Sequence, residues 1–150
     1  MIIYHGSDHI IRKPEYHMGR RNNDYGYGFY CTAHEDMAKE WSVTEGRSGY
    51  ANRYELNMQG LEVLDLNEYP VLTWLTVLVE NRDFQLGSPL AREAVAYLRK
   101  EFAINYRSFD VIRGYPSSPR VQMISASPSS TSSAEASAIG VPPASGAAAK

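Results

Sequence analysis

The chain has 150 residues, 43% hydrophobic and 21% charged, which suits one ordinary domain with a core. Its net charge of −2 leaves no electrostatic footprint for duplex nucleic acid, and its apolar runs fall short of the roughly 18 residues of a membrane-spanning helix. The single cysteine, Cys31, excludes an internal disulfide and a zinc site built on several thiolates, and Met1 to Arg12 lacks the pattern of a secretory signal; the expected location is the cytoplasm.

In chain order, Ile2-Ile3-Tyr4 is a short apolar run that ends at His5-Gly6-Ser7, predicting a strand and a turn. Residues 8 to 24 are polar and basic and read as a loop, its Arg12-Lys13 and Arg20-Arg21 pairs being solvated charges. Gly28 to Thr32 is a second strand. Thr32 and Glu35 have the spacing of a capping box, opening a helix through Met37, Ala38 and Trp41 that ends near Thr44 to Gly46. Tyr50 to Leu56 and Leu61 to Leu66 alternate as strands do. Pro70 starts a helix expected to be largely buried, through Val71, Leu72, Trp74, Leu75, Leu78 and Val79. Ser88-Pro89 opens another, with Leu90, Ala94, Tyr97, Leu98 and Phe102 as its apolar residues. Phe109 to Ile112 closes the series as a strand. Strands and helices mix without regular alternation, so the expected class is α+β.

Composition changes sharply after Tyr115. Every Tyr, Trp and Phe lies before residue 116, whereas Pro116, Pro119, Pro128, Pro142 and Pro143 lie after it, among Ser-rich and Ala-rich runs such as Ser129–Ser133 and Ala147–Ala149. Such a segment buries too little apolar surface to offset an ordering cost of about 1–2 kcal/mol per residue. The expected organisation is a folded domain over 1–115 and a disordered tail over 116–150, with Val121 to Ile124 as the one apolar island able to pair as a short strand. So abrupt a change is also what a truncated or frameshifted longer domain would show, leaving an incomplete sheet whose open edge promotes self-association.

Few residues suggest chemistry by type and spacing alone. The histidines, at 5, 9, 17 and 34, lack the grouping of a metal site, and none is expected. Gly26-Tyr27-Gly28 lacks the rest of a dinucleotide fingerprint. Cys31, inside a strand, reads as a buried inert thiol. Ser7 has no nucleophile-elbow context. His5 reads as a turn residue, and Tyr30 and Trp41 as core aromatics, on spacing alone.

Tyr4-His5-Gly6-Ser7 followed about 20 residues later by Tyr25-Gly26-Tyr27-Gly28-Phe29-Tyr30, and then by a helix carrying Ala38 and Trp41, resembles the ADP-ribosyltransferase superfamily. The likeness is to the branch that includes poly-ADP-ribose polymerases, with H-G-S and G-x-G-x-Y motifs and a late Glu or Gln, and in particular to small bacterial domains of that clan. It is clearest over residues 2 to 45 and looser over 50 to 113. The resemblance implies an α+β fold with a split mixed sheet and flanking helices, and NAD as a substrate without any metal. It implies that His5 bonds a ribose hydroxyl, that the Gly6 backbone binds the carboxamide, and that Tyr30 and Trp41 sandwich the nicotinamide ring. The serine the family often carries on that helix is Ala38 here. For the late Glu or Gln that anchors the ribose, Gln122 is the candidate; Glu62 and Glu80 come too early in the chain.

Three functions follow as expectations. One is an NAD-dependent ADP-ribosyltransferase acting on a protein acceptor, or an NAD glycohydrolase if water is the acceptor. Another is a catalytically inactive NAD-binding or protein-interaction module, favoured by Ala38 and by the absence of the late Glu. A third, phosphotransfer on RNA 2′-phosphate, is disfavoured by the near-neutral charge.

Overall fold

The structure, a computed structural model, describes residues 1–15, 21–44, 46–114, 120–123 and 137–141. Its elements in chain order are β1 (Ile2–Ser7), β2 (Phe29–Thr32), α1 (Glu35–Ser42), β3 (Gly49–Glu55), β4 (Val63–Asp65), α2 (Val71–Asn81), α3 (Pro89–Glu101), β5 (Val111–Arg113), β6 (Arg120–Met123) and β7 (Ser137–Val141). Short 3-10 turns occupy Leu66–Glu68 and Tyr106–Ser108. The α+β class expected from the sequence is the observed one. The described residues contain no helix long and apolar enough to cross a membrane. They divide into two units.

The first unit comprises Met1–Pro14, Tyr30–Gly60 and the stretch from Ser129 that contains β7. Its strands run in the order β2-β1-β3-β7, each antiparallel to its neighbour. The β1–β3 ladder is continuous from Ile2↔Glu55 to Ser7↔Tyr50. Its far end is closed by Leu56 and Met1, whose main-chain and terminal groups exchange two hydrogen bonds of 2.7 Å. Period-two alternation places Ile3, His5 and Ser7 on one face with Tyr50, Asn52 and Tyr54, and Gly6 on the other with Gly49 and Ala51. Ile3, Cys31, Ala38, Ala51, Tyr54 and Leu56 are buried.

Helix α1 begins at Glu35, after His34, and no side chain caps it. The expected capping box does not form, because Thr32 belongs to β2 and its Oγ1 accepts from the His34 N–H at 3.1 Å instead. Charges at helical spacing support the short helix: Lys39 Nζ lies 2.6 Å from Glu35 and 3.5 Å from Asp36.

The second unit comprises Glu15–Phe29 and Leu61–Pro128. Strand β4 runs parallel to β5, and β5 antiparallel to β6. The buried residues of this unit include Tyr25, Phe29, Leu64, Leu66, Val77, Val95, Leu98, Tyr106, Val111 and Ile112. Helix α2 starts after Pro70 as expected, but its buried positions are Thr73, Thr76 and Val77 rather than its bulky residues. Thr76 makes this possible by satisfying its own hydroxyl, 2.7 Å from Leu72 O and 3.4 Å from Leu98 O of α3. Ser88 caps α3 by accepting from Ala91 N–H at 3.1 Å. The buried stripe of α3 is Val95 and Leu98, whereas Leu90 and Tyr97, expected inside, are 75% and 57% exposed. Tyr97 instead meets Phe102 edge to face at 6.0 Å.

Two strands lie within the segment expected to be disordered. The apolar island pairs as β6, with Ile112↔Gln122 in register, and the small and β-branched residues of β7 pair along β3 from Gly49↔Val141 to Arg53↔Ser137. A strand edge offers main-chain donors and acceptors to any extended segment, so β7 needs little side-chain hydrophobicity to form. Pro116, Pro119, Pro128, Pro142, Pro143, Ser129–Ser133 and Ala147–Ala149 lie outside the described residues, as do His17, Arg20 and Ile124.

Candidate functional site

His5, Gly6, Tyr30 and Trp41 come from β1, β2 and α1 of the first unit, and all four are half-buried. The β1–β2 ladder carries the pair Tyr4↔Thr32. Continued, it would next set His5 opposite Cys31 and Gly6 opposite Tyr30. At that point the His5 side chain takes over: its Nδ1 lies 2.6 Å from the Tyr30 carbonyl oxygen. A carbonyl only accepts, so Nδ1 carries the proton and Nε2 carries the lone pair. Burial holds the imidazole below its usual pKa of 6.5, against the Tyr30 bond that raises it, while His9 lowers it further. The ring is therefore neutral at pH 7, with an acceptor nitrogen of fixed identity.

Gly6 is where α1 rests on the sheet. A Cβ there would collide with the Ala38 carbonyl oxygen and lie 2.8 Å from Ser42 N and 2.9 Å from Trp41 Cβ. A side chain at this position would push the helix away, so glycine sets how near Trp41 comes to β1. The same helix end lies against Gly49 of β3, where an added Cβ would meet the Ser42 carbonyl. Ala38 is fully buried and offers no hydroxyl, and the Ser42 hydroxyl donates to Lys39 O at 2.7 Å.

No sequence motif singles out Asn52. It lies opposite His5 on β3, fully buried. Its Nδ2 donates toward Ser7 Oγ at 2.9 Å and lies 3.3 Å from the carbonyls of both His5 and His9; its Oδ1 accepts from Ile11 N–H at 2.9 Å. The Tyr54 hydroxyl, two residues on, donates to Ile11 O at 2.7 Å. The one signal in the sequence is an asparagine at the centre of a strand, a position its β-propensity does not favour.

The Tyr25–Phe29 part of the second motif belongs to the second unit, where Tyr25 is 2% exposed and Gly26 turns with φ 79° against the Asn81 side chain. Asp24 pairs with Arg82 at the end of α2, and Asn81 both donates to and accepts from the Tyr106 hydroxyl, at 2.9 and 3.2 Å. Gln122 lies on β6 of the same unit. Cys31 is fully buried, and desolvation raises its thiol pKa far above the usual range, leaving it protonated. Among the described residues, no group of three or more His, Cys, Asp or Glu side chains could hold a metal.

Residues 1–126 match the family described as "Protein of unknown function (DUF3990)". The chain belongs to the DUF3990 family. The matched region contains His5, Gly6, Tyr30, Asn52 and Trp41, and it runs past residue 115 to include the whole of β6. No curated protein and no solved structure gives a significant match.

Proposed function

We propose that this DUF3990 chain binds NAD as a substrate through His5, Gly6, Tyr30 and Trp41. It cleaves the nicotinamide–ribose bond and transfers ADP-ribose to a protein acceptor, or to water. The reading rests first on the H-G-S and G-x-G-x-Y resemblance. The observation that carries it further is that these sequence-distant residues share one unit, with Gly6 seated against α1 at Trp41 and the His5 ring fastened to Tyr30 O at 2.6 Å. A neutral imidazole with Nε2 as acceptor suits a ribose hydroxyl donor. Aromatic faces at Tyr30 and Trp41 suit a flat ring held by stacking. The Gly6 main chain is assigned to the carboxamide as the resemblance implies.

The chemistry asks little else of the protein. Breaking the nicotinamide–ribose bond develops positive charge on the ribose, as in glycoside hydrolysis, so the residues need to orient the sugar and hold the leaving ring. By the resemblance, Gln122 is the candidate for the superfamily's late Glu or Gln. Its support is its place on a late strand, the kind of element on which the superfamily carries its Glu or Gln. The fold reading is the superfamily's split mixed sheet with flanking helices.

One observation favours the catalytically inactive NAD-binding module. Ala38 leaves no hydroxyl at the family's serine position, and Ser42, one turn on, spends its own hydroxyl on Lys39 O. The active reading and the NAD-binding form of the inactive one require NAD binding; a protein-interaction module does not. Calorimetric titration of NAD into the full chain tests for that binding, with His5→Ala and Trp41→Ala beside the parent. Binding by the parent, weakened about tenfold or more in each folded variant, is expected. A folded parent that gives no binding heat at millimolar NAD contradicts the proposal.

A further inference from the structure

We propose that Asn52 is a positioning residue that holds the His5–Ile11 segment on β3 and thereby keeps the His5 imidazole in its single orientation on Tyr30 O. The alternating partners reveal the device. From its place opposite His5, one side chain reaches the His5 carbonyl, Ser7 Oγ, the His9 carbonyl and the Ile11 N–H, every second residue of the segment. Ser7 Oγ in turn donates to His9 O at 2.5 Å, and Tyr54 fixes Ile11 O. The chain beyond β1 is thus folded back along the face of β3 that carries Asn52 and Tyr54, with no regular ladder to hold it.

A fully buried amide is costly unless its hydrogen bonds are made, so these contacts are specified together. The consequence for His5 is geometric. Its main chain is gripped from the β3 side by Asn52, and its side chain reaches the opposite way, toward β2, to Tyr30. Loosening the first grip lets the residue turn, and the ring loses the geometry of the second. Importance for NAD rests on the function proposed above; the effect on the His5 ring does not.

The test uses the full chain with Asn52→Ala and Asn52→Thr, the threonine keeping a strand-forming side chain too short to span from His5 to Ile11. Nitrogen-15 correlation spectra of the imidazoles report which ring nitrogen of His5 is protonated. The parent is expected to show the Nδ1–H form alone. Both folded variants are expected to show ring nitrogens averaged between the two tautomers, and an NAD affinity lower by about tenfold or more. If Asn52→Ala fails to fold, Asn52→Thr decides alone. A single Nδ1–H tautomer in a folded variant overturns the proposal, even if its NAD affinity falls. A parent that shows the Nδ1–H form and binds no NAD overturns the functional reading instead, and leaves the tautomer comparison to judge Asn52.

Discussion

His5 Nδ1 donates to the carbonyl oxygen of Tyr30 across 2.6 Å, joining by a side chain two strands whose main-chain ladder carries the pair Tyr4↔Thr32. The bond fixes the tautomer, and burial keeps the ring neutral. Its folded pKa lies below 6.5, so the folded chain resists a proton that the unfolded chain accepts. The stability this contributes is complete above about pH 6.5 and is lost as pH falls from there through the lower folded value. On the proposed reading, NAD affinity is level above about pH 6.5 and falls only as pH drops through the lower folded pKa of His5, where protonated Nε2 ceases to accept. Proton NMR titration of His5 beside NAD binding at each pH checks both. A His5 midpoint at or above the ordinary histidine value contradicts them.

Gly6→Ala is expected to destabilise the chain by about 1–3 kcal/mol, because α1 must lift off β1 to make room. Gly87→Ala is the control. Nothing lies within 4 Å of a Cβ there, so the change is expected to be near neutral. Denaturant midpoints at unchanged slope measure the difference, and equal midpoints for the two variants refute the close seat of α1.

Much of the fold is legible in the sequence, and the exceptions have physical reasons. Ser88-Pro89 specifies the start of α3 because capping is a local interaction, and the serine hydroxyl does cap Ala91 N–H. The Thr32–Glu35 spacing misleads because Thr32 is claimed by the sheet, and pairing across strands is not local. The α3 face misleads because Leu90, Ala94 and Tyr97 share a helical stripe that the fold leaves outside, while Val95 and Leu98 face inward. Strand β7 escapes a reading based on hydrophobicity because it is held through main-chain pairing to β3. At the site, His5, Gly6, Tyr30 and Trp41 could be named from motifs, and Gly6 owes its identity to the nearby helix backbone. Asn52 could not, since its role depends on a register that brings residues 5 to 11 against residue 52.

The Asn81–Tyr106 pair is expected to couple by about 1 kcal/mol in a double-mutant cycle of Asn81→Ala and Tyr106→Phe. Tyr106 is buried and Asn81 half-buried, and each satisfies the other, so either single change leaves a polar group without its mate. Additive effects on the unfolding midpoint would show that the two bonds contribute nothing jointly.

Cys31 is expected to resist aromatic disulfide reagents in the native chain and to react at once in denaturant, since the thiolate is the reactive form and burial suppresses it. Absorbance of the released thiolate follows the reaction. Rapid modification of the folded protein would mean that β2 opens readily.

The most direct measurement is release of nicotinamide from NAD by the full chain, with His5→Ala and Gln122→Ala alongside, each checked for folding. The account predicts release by the parent and a loss of about a hundredfold or more in both variants, the scale on which positioned polar groups act in catalysis. No release from a folded parent that binds NAD would contradict the enzyme reading and leave the inactive module.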